Sequence, residues 1–309
     1  MSVATMQNVI ARLCVDISFR KSFINDPDKT LGSYPLSCDE IESIKALDIS
    51  AVRDYASSLV GKRSGLIRKW FELSICCLEK ALSPDATGRI LIRYGVENIR
   101  NNQELGGEWV LGESERFARF LQRLVAERGI EISYFADLVE FDLLRSMMPL
   151  DPAASADART FKKRSEGIDV AFTGEFTKSL RPLLGRHARI ATFKYDVSKL
   201  VEEIEKGNVP AHAEERLLHL LFLKKPGARY AVTLSINDPL KSILDLCNGE
   251  LTIDEIVSAF ASSSPEFSGT PLDQLTRECC DALHELYKVY AITFLQKPNS
   301  ESQMAGTRN

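Results

Sequence analysis

SINDPLKSILDLCNGELTIDEIVSAF, residues 235–260, holds the boundary signals that organise the second half of the chain. Asn237 or Asp238 can cap a helix, and Pro239 falls in its first turn, where a missing N–H is no loss. Leu240, Ile243, Leu244 and Cys247 follow at spacings of three and four, and Gly249 ends the run. Thr252 and Glu255 form a capping-box pattern ahead of Ile253, Ile256, Val257 and Phe260. A third helix is expected from Thr270 as cap and Pro271 as first residue, with Leu272, Leu275, Cys279, Leu283 and Leu286 on one stripe. It runs into YAITFL, a further short strand.

Upstream of this stretch the apolar period is two. In ARIATFKYDV, Ala191, Phe193, Tyr195 and Val197 face one way, and Thr192, Lys194 and Asp196 the other. A short helix is expected over Ser198–Lys206, and LLHLLFL (217–223) reads as a buried strand. KKPGA makes a turn, after which Tyr230, Val232 and Leu234 alternate with Ala231, Thr233 and Ser235. The expected unit over 187–297 is therefore winged-helix-like: a three-stranded antiparallel sheet plus three helices.

The first half reads as helix throughout. Val9, Leu13 and Ile17 recur every fourth residue, and Asp26-Pro27 stops the run. Ser37 and Glu40 begin the next helix, Ser50 caps a third, and Leu66, Trp70, Leu73 and Cys77 mark a segment over 65–82. Ser83 to Gly112 reads as a looser stretch. Phe117, Phe120, Leu121 and Leu124 follow, closed by Gly129; Tyr134, Leu138, Phe141, Leu144 and Met148 mark the last helix. An all-α domain is expected over 6–148, a connector with room for one short helix over 149–186, and a disordered tail over 298–309. The fold class is α+β.

Composition narrows the function. The chain has 309 residues, enough for two cores, and a net charge of −4, which disfavours a basic nucleic-acid or membrane binder. Seven cysteines without a C-x-x-C pair read as reduced, packed thiols, those of Cys76-Cys77 and Cys279-Cys280 included. MSVATMQNVIARL lacks a charged leader ahead of an unbroken apolar stretch, so a cytoplasmic location is expected. The four histidines (His187, His212, His219, His284) make no H-E-x-x-H, and His212-Ala-Glu214 has no P-C-x-x-C after it. G-x-S-x-G and phosphate-loop patterns are absent, so an autonomous enzyme, with the Gly88–Gly112 region as its site, is the weaker expectation. A winged-helix DNA-binding regulator is the other alternative. Within 187–297, however, 16 acidic residues oppose 12 basic ones, and the third helix carries Asp273, Glu278, Asp281 and Glu285 against Arg277 and Lys288. Phosphate contacts need the reverse balance. A strand–helix groove fits better: if Tyr230–Ser235 is an edge strand, its free backbone groups can pair with an extended peptide, and the third helix supplies apolar pockets and an acidic rim.

Residues 235–260 also resemble the PqqD-type recognition element of ribosomal natural-product (RiPP) pathways. Asn237, Leu246, Cys247, Asn248, Gly249, Thr252, Glu255, Ile256 and Val257 match its strand-N-[DE], L-C-[DN]-G and T-x-x-E-I-V pattern. The resemblance implies leader-peptide binding as an added strand. By position the contacts would be Arg229, Tyr230, Ala231, Val232, Thr233, Leu234 and Ser235, with Leu275, Cys279, Ala282, Leu283 and Leu286 on the third helix. D-x-x-F-R-x-x-F-x-x-D-P (Asp16, Phe19, Arg20, Phe23, Asp26, Pro27) and ARIATFKYDVSKLVEEI (188–204) resemble the partner subunits of methanobactin and 3-thiaglutamate biosynthesis, the MbnC and TglI type. The length suits the latter. Such proteins are obligate partners of TIM-barrel oxygenases with two or three irons that rework a cysteine of a precursor peptide. The implied role is a non-catalytic subunit of a heterodimer, with no cofactor in this chain and the iron on the partner.

Overall fold

The computed structural model describes residues 3–98, 109–167, 179–228, 231–264, 267 and 269–295. The chain divides into two compact units, Met1–Glu131 and Ile132–Asn309. Among the described residues no helix is long and apolar enough to cross a membrane.

The first unit is helical: α1 (Val3–Val15), α2 (Ile17–Asn25), α3 (Pro27–Leu31), α4 (Cys38–Lys45), α5 (Ile49–Trp70), α6 (Glu72–Leu82), α7 (Pro84–Asn98) and α8 (Trp109–Arg128). Local chemistry sets the early boundaries. Asp16 caps α2, Asp26 caps α3 ahead of Pro27, and Ser37 with Glu40 closes a complete capping box on α4. Asp48, not Ser50, caps α5, accepting from the N–H groups of Ser50 and Ala51. Helix α5 then runs on into the segment expected over 65–82 and stops at Phe71, whose ψ of 41 leaves the helical region. Helix α7 (15 residues) fills the first half of the stretch expected to be loose. Gly88 and Gly95 weaken its local signal, but packing overrides propensity. Ile90, Leu91 and Tyr94 are buried, and a Cβ on Gly95 would lie 3.2 Å from Val60 Cγ1, so the glycine lets α5 and α7 approach.

Helices α5, α7 and α8 also share a buried charge network. Glu113 is fully buried, and its Oε1 accepts from Arg63 Nη2 at 2.6 Å while its Oε2 accepts from Arg116 Nη2 at 2.9 Å. Such a pair is held by geometry more than by net energy, because desolvating the charges offsets most of their attraction. Tyr94 and Phe117 pack edge-on beside it at 4.8 Å, and burial raises the Tyr94 phenol out of reach of ionisation.

In the second unit, α9 (Phe135–Met147), a 3₁₀ turn (Met148–Leu150) and α10 (Pro152–Gly167) precede β1 (Arg181–Leu184) and β2 (Ala188–Tyr195). Then come α11 (Val197–Glu205), β3 (Glu215–Leu223), β4 (Val232–Ile236), α12 (Asp238–Asp245), α13 (Ile253–Ser263), α14 (Leu272–Lys288) and β5 (Ile292–Leu295). The main sheet is antiparallel in the order β2-β3-β4, and β1 pairs with β5 in a second, two-stranded sheet.

The division after Glu131 differs from the expected end of the helical domain at 148. The reason is α9. Its Phe141 meets Phe193 of β2 and Phe222 of β3 edge-on at 6.3 and 5.5 Å, and Asp137 accepts from the Tyr195 N–H at 2.9 Å. Residues 149–186 are likewise more than a connector: α10 is sixteen residues long and buries Ala154, Ala158 and Phe161, and β1 follows. Residues 298–309 lie outside the described residues.

The opposite face of the sheet carries the main core. Ala188, Leu221, Leu223 and Ile236 pack there with Ile243, Leu244, Ile253, Ile256, Val257, Leu275, Leu283 and Leu286 from α12–α14. One imidazole ties this layer to the turn between β1 and β2. His187 is fully buried, and its Nε2–H donates to the Tyr290 carbonyl at 2.6 Å. Tyr290 sits at φ +65 just past α14, a left-handed position a tyrosine takes only when held there. Phe161 of α10 stacks edge-on against the imidazole at 4.7 Å, and a Cβ on Gly185 would sit 2.2 Å from the ring. Among the described residues Nδ1 finds no hydrogen-bond partner. The ring is therefore neutral in the fold, and burial lowers its pKa below the ordinary 6.5.

The sign follows directly. As pH falls through 6.5 the unfolded chain takes up a proton that folded His187 refuses, so this contribution to stability is complete above that range and lost below it. The urea midpoint should fall between pH 7.5 and pH 5.5. His187→Gln, which keeps a donor toward Tyr290, should show a smaller fall; an identical pH dependence in both proteins would refute the assignment.

Candidate functional site

Strand β4 reads Val-Thr-Leu-Ser-Ile and pairs in unbroken register with β3, from Leu223↔Val232 to His219↔Ile236. Among the described residues no strand lies on its other side. Which backbone groups point outward follows from the ladder. The Lys224 N–H donates to the His187 carbonyl at 2.8 Å, and these two residues continue the β2–β3 register. They are thus a hydrogen-bonded pair, and such pairs alternate. Phe222, two residues back along β3, therefore also turns its N–H and C=O groups toward β2, and Leu221 and Leu223 turn theirs toward β4. Val232, Leu234 and Ile236 answer them. Thr233 and Ser235 direct their backbone groups to the open edge.

Side chains sort the same way. Leu234 and Ile236 pack on the core, while Thr233 and Ser235 are exposed on the opposite face. The edge carries no proline, charge or bulge, the usual devices that block edge pairing.

An apolar groove of about 300 Å³ begins where β4 ends. Asn237, Pro239, Leu240 and Ile243 form its α12 wall, Val257 and Phe260 of α13 its floor with Phe267, and Leu275, Glu278, Cys279 and Ala282 its α14 wall. That volume suits one or two apolar side chains and lies at the lower end for a small-molecule site. Asn237 holds the α12 wall: its side chain accepts from the Leu240 N–H, capping the helix at the residue after β4. A polar chain braces the same corner. Asp238 Oδ1 accepts from His219 Nε2–H at 2.6 Å, so His219 Nδ1 is left to accept from the Thr192 hydroxyl at 2.8 Å. One residue from each of β2, β3 and α12 is thereby linked.

The thiols here are packing groups. Burial pushes Cys247 up to about 12 and Cys279 higher still, so neither is a thiolate at neutral pH. Cys247 Sγ donates to the Ile243 carbonyl at 3.3 Å. Among the described residues no three His, Cys, Asp or Glu side chains gather as they would around a metal ion.

The structure sorts the residues expected from the sequence. Ala231, Val232, Thr233, Leu234 and Ser235 lie on or beside the edge strand, and Leu275, Cys279 and Ala282 line the groove. Leu283 and Leu286 are core residues beneath it, and Leu272, expected on the same stripe, is 51% exposed. Arg229 and Tyr230 lie outside the described residues. Glu278 belongs to the acidic rim expected on the third helix, whereas the α12 and α13 walls were not expected at the site. Pro239-Leu240, apolar and directly after a strand, is the sequence signal that points to them. The comparisons with protein-family models and with curated proteins give no match.

Backbone direction is measurable. In hydrogen exchange, the Thr233 and Ser235 amides should exchange at least tenfold faster than those of Val232 and Leu234, which the ladder protects. Equal protection along 232–236 would mean that the outer edge is already paired.

Proposed function

We propose that this chain is a non-catalytic subunit that captures an extended precursor peptide by strand addition at β4. It presents that peptide to an iron-dependent oxygenase, which modifies a peptide cysteine in ribosomal natural-product biosynthesis in the cytoplasm. The observation that supports this most is the open β4 edge running into an apolar groove walled by α14. Main-chain hydrogen bonds from Thr233 and Ser235 would supply affinity, and the groove would choose among side chains. The family reading rests on the PqqD-like pattern through Asn237, Cys247, Gly249, Thr252 and Glu255, and on the MbnC- and TglI-like N-terminal pattern from Asp16 to Pro27.

In this reading the metal chemistry belongs to the partner. This chain contributes position: a peptide held at β4 has its reactive end at high effective concentration near the enzyme's site. Duplex DNA is a poor occupant of the same surface, because Asp273, Glu278, Asp281 and Glu285 are exposed along α14.

Co-purification tests it. The tagged full-length chain is co-expressed with the reading frames that flank its own. It should retain a TIM-barrel iron protein and a short cysteine-containing peptide. Thr233→Pro should fold, since its N–H points away from β3, and should keep the enzyme while losing at least tenfold in peptide. Recovery of neither partner by the unaltered chain would refute the proposal.

A further inference from the structure

Among the described residues that line the groove, one is charged. Glu278 is exposed on α14, and among the described residues its Oε1 accepts only from Gln274 Nε2, at 2.9 Å, one turn earlier on the same helix. It makes no ion pair among the described residues, whereas Glu285 on the same helix pairs with Lys288 at 2.6 Å. The remaining groove walls offer Leu240, Ile243, Val257, Phe260, Leu275 and Ala282, which are apolar. Arg277, next to Glu278, does not line the groove. Asp273 and Asp281 are also exposed on α14, Asp281 less than one turn beyond Glu278.

A segment lying in this groove must cover the rim at Glu278. An apolar or acidic neighbour would strip water from the carboxylate and return nothing. A lysine or arginine would return a charge-assisted hydrogen bond and would be steered in by the surrounding acidic field. We infer that the peptide taken up here carries a lysine or arginine beside its apolar anchor residue, and that Glu278 selects it. This rests on the strand-addition reading above and narrows its ligand to one chemical class.

Selection from a random short-peptide library displayed on mRNA tests it, with the full-length protein, Glu278→Gln and Glu278→Lys immobilised in parallel. The unaltered protein should enrich peptides with an apolar residue next to lysine or arginine. Glu278→Gln should lose the charge preference, and Glu278→Lys should favour aspartate or glutamate next to the same apolar residue. A synthetic peptide made from the wild-type selection should bind Glu278→Gln about 2- to 5-fold more weakly, the range for an exposed ion pair, and the gap should narrow at high salt. Enriched apolar peptides with no basic neighbour, or an unchanged preference in Glu278→Lys, would overturn the inference while leaving strand addition standing. No enrichment by the unaltered protein would overturn both. Circular dichroism of the two variants should match the parent, because Glu278 is exposed.

Discussion

A strand's backbone groups need partners, and among the described residues β4 meets that need on one side only. The ladder to β3 fixes Val232, Leu234 and Ile236, and so leaves Thr233 and Ser235 facing outward. Everything built around β4 keeps that edge straight and open. Leu234 and Ile236 anchor it in the core shared with α12–α14. Asn237 ends it by capping α12, and the Thr192–His219–Asp238 chain ties that corner to β2 and β3. An open edge with no proline, charge or bulge is a hazard unless something completes it, since any other edge could pair there.

The groove and the edge depend on the same layer of helices. His187 holds the Tyr290 carbonyl just past α14, and Ala291 N–H returns to Leu286 to close that helix end. The chain then enters β5, which pairs with β1 immediately before the turn that carries His187. The third helix is thus clamped at its C-terminal end by a neutral ring, while its first turns, with Leu275, Glu278 and Cys279, form the groove wall. Core packing and site geometry share one stripe of α14: Leu283 and Leu286 face inward, and Cys279 with Ala282 bounds the groove.

Features set by neighbours in sequence are readable without coordinates. The Thr252/Glu255 and Ser37/Glu40 boxes, the Asn237 cap and the alternation of β4 are of this kind. Features set by distant neighbours are not. Strand β1, Arg-Pro-Leu-Leu, has no alternation to reveal it; its partner β5 lies near the other end of the chain. Helix α7 is diluted by two glycines, and α10 buries alanines, whose apolar signal is weak. The domain boundary moves because the stripe of α9 fits a sheet as well as it fits a helix, and only the Phe141–Phe193–Phe222 cluster decides between them. At the site, the α14 stripe is legible, but which of its residues are open and which are covered depends on where α12 and α13 come to rest.

The most direct measurement is a scalar coupling across hydrogen bonds in the peptide complex, with the chain labelled in ¹⁵N and the selected peptide in ¹³C. Transfer from the Thr233 and Ser235 amide nitrogens to peptide carbonyl carbons is the predicted result, with none from Val232 or Leu234. A bound peptide that shows no such transfer, or shows it to amides elsewhere in the chain, would contradict strand addition at β4.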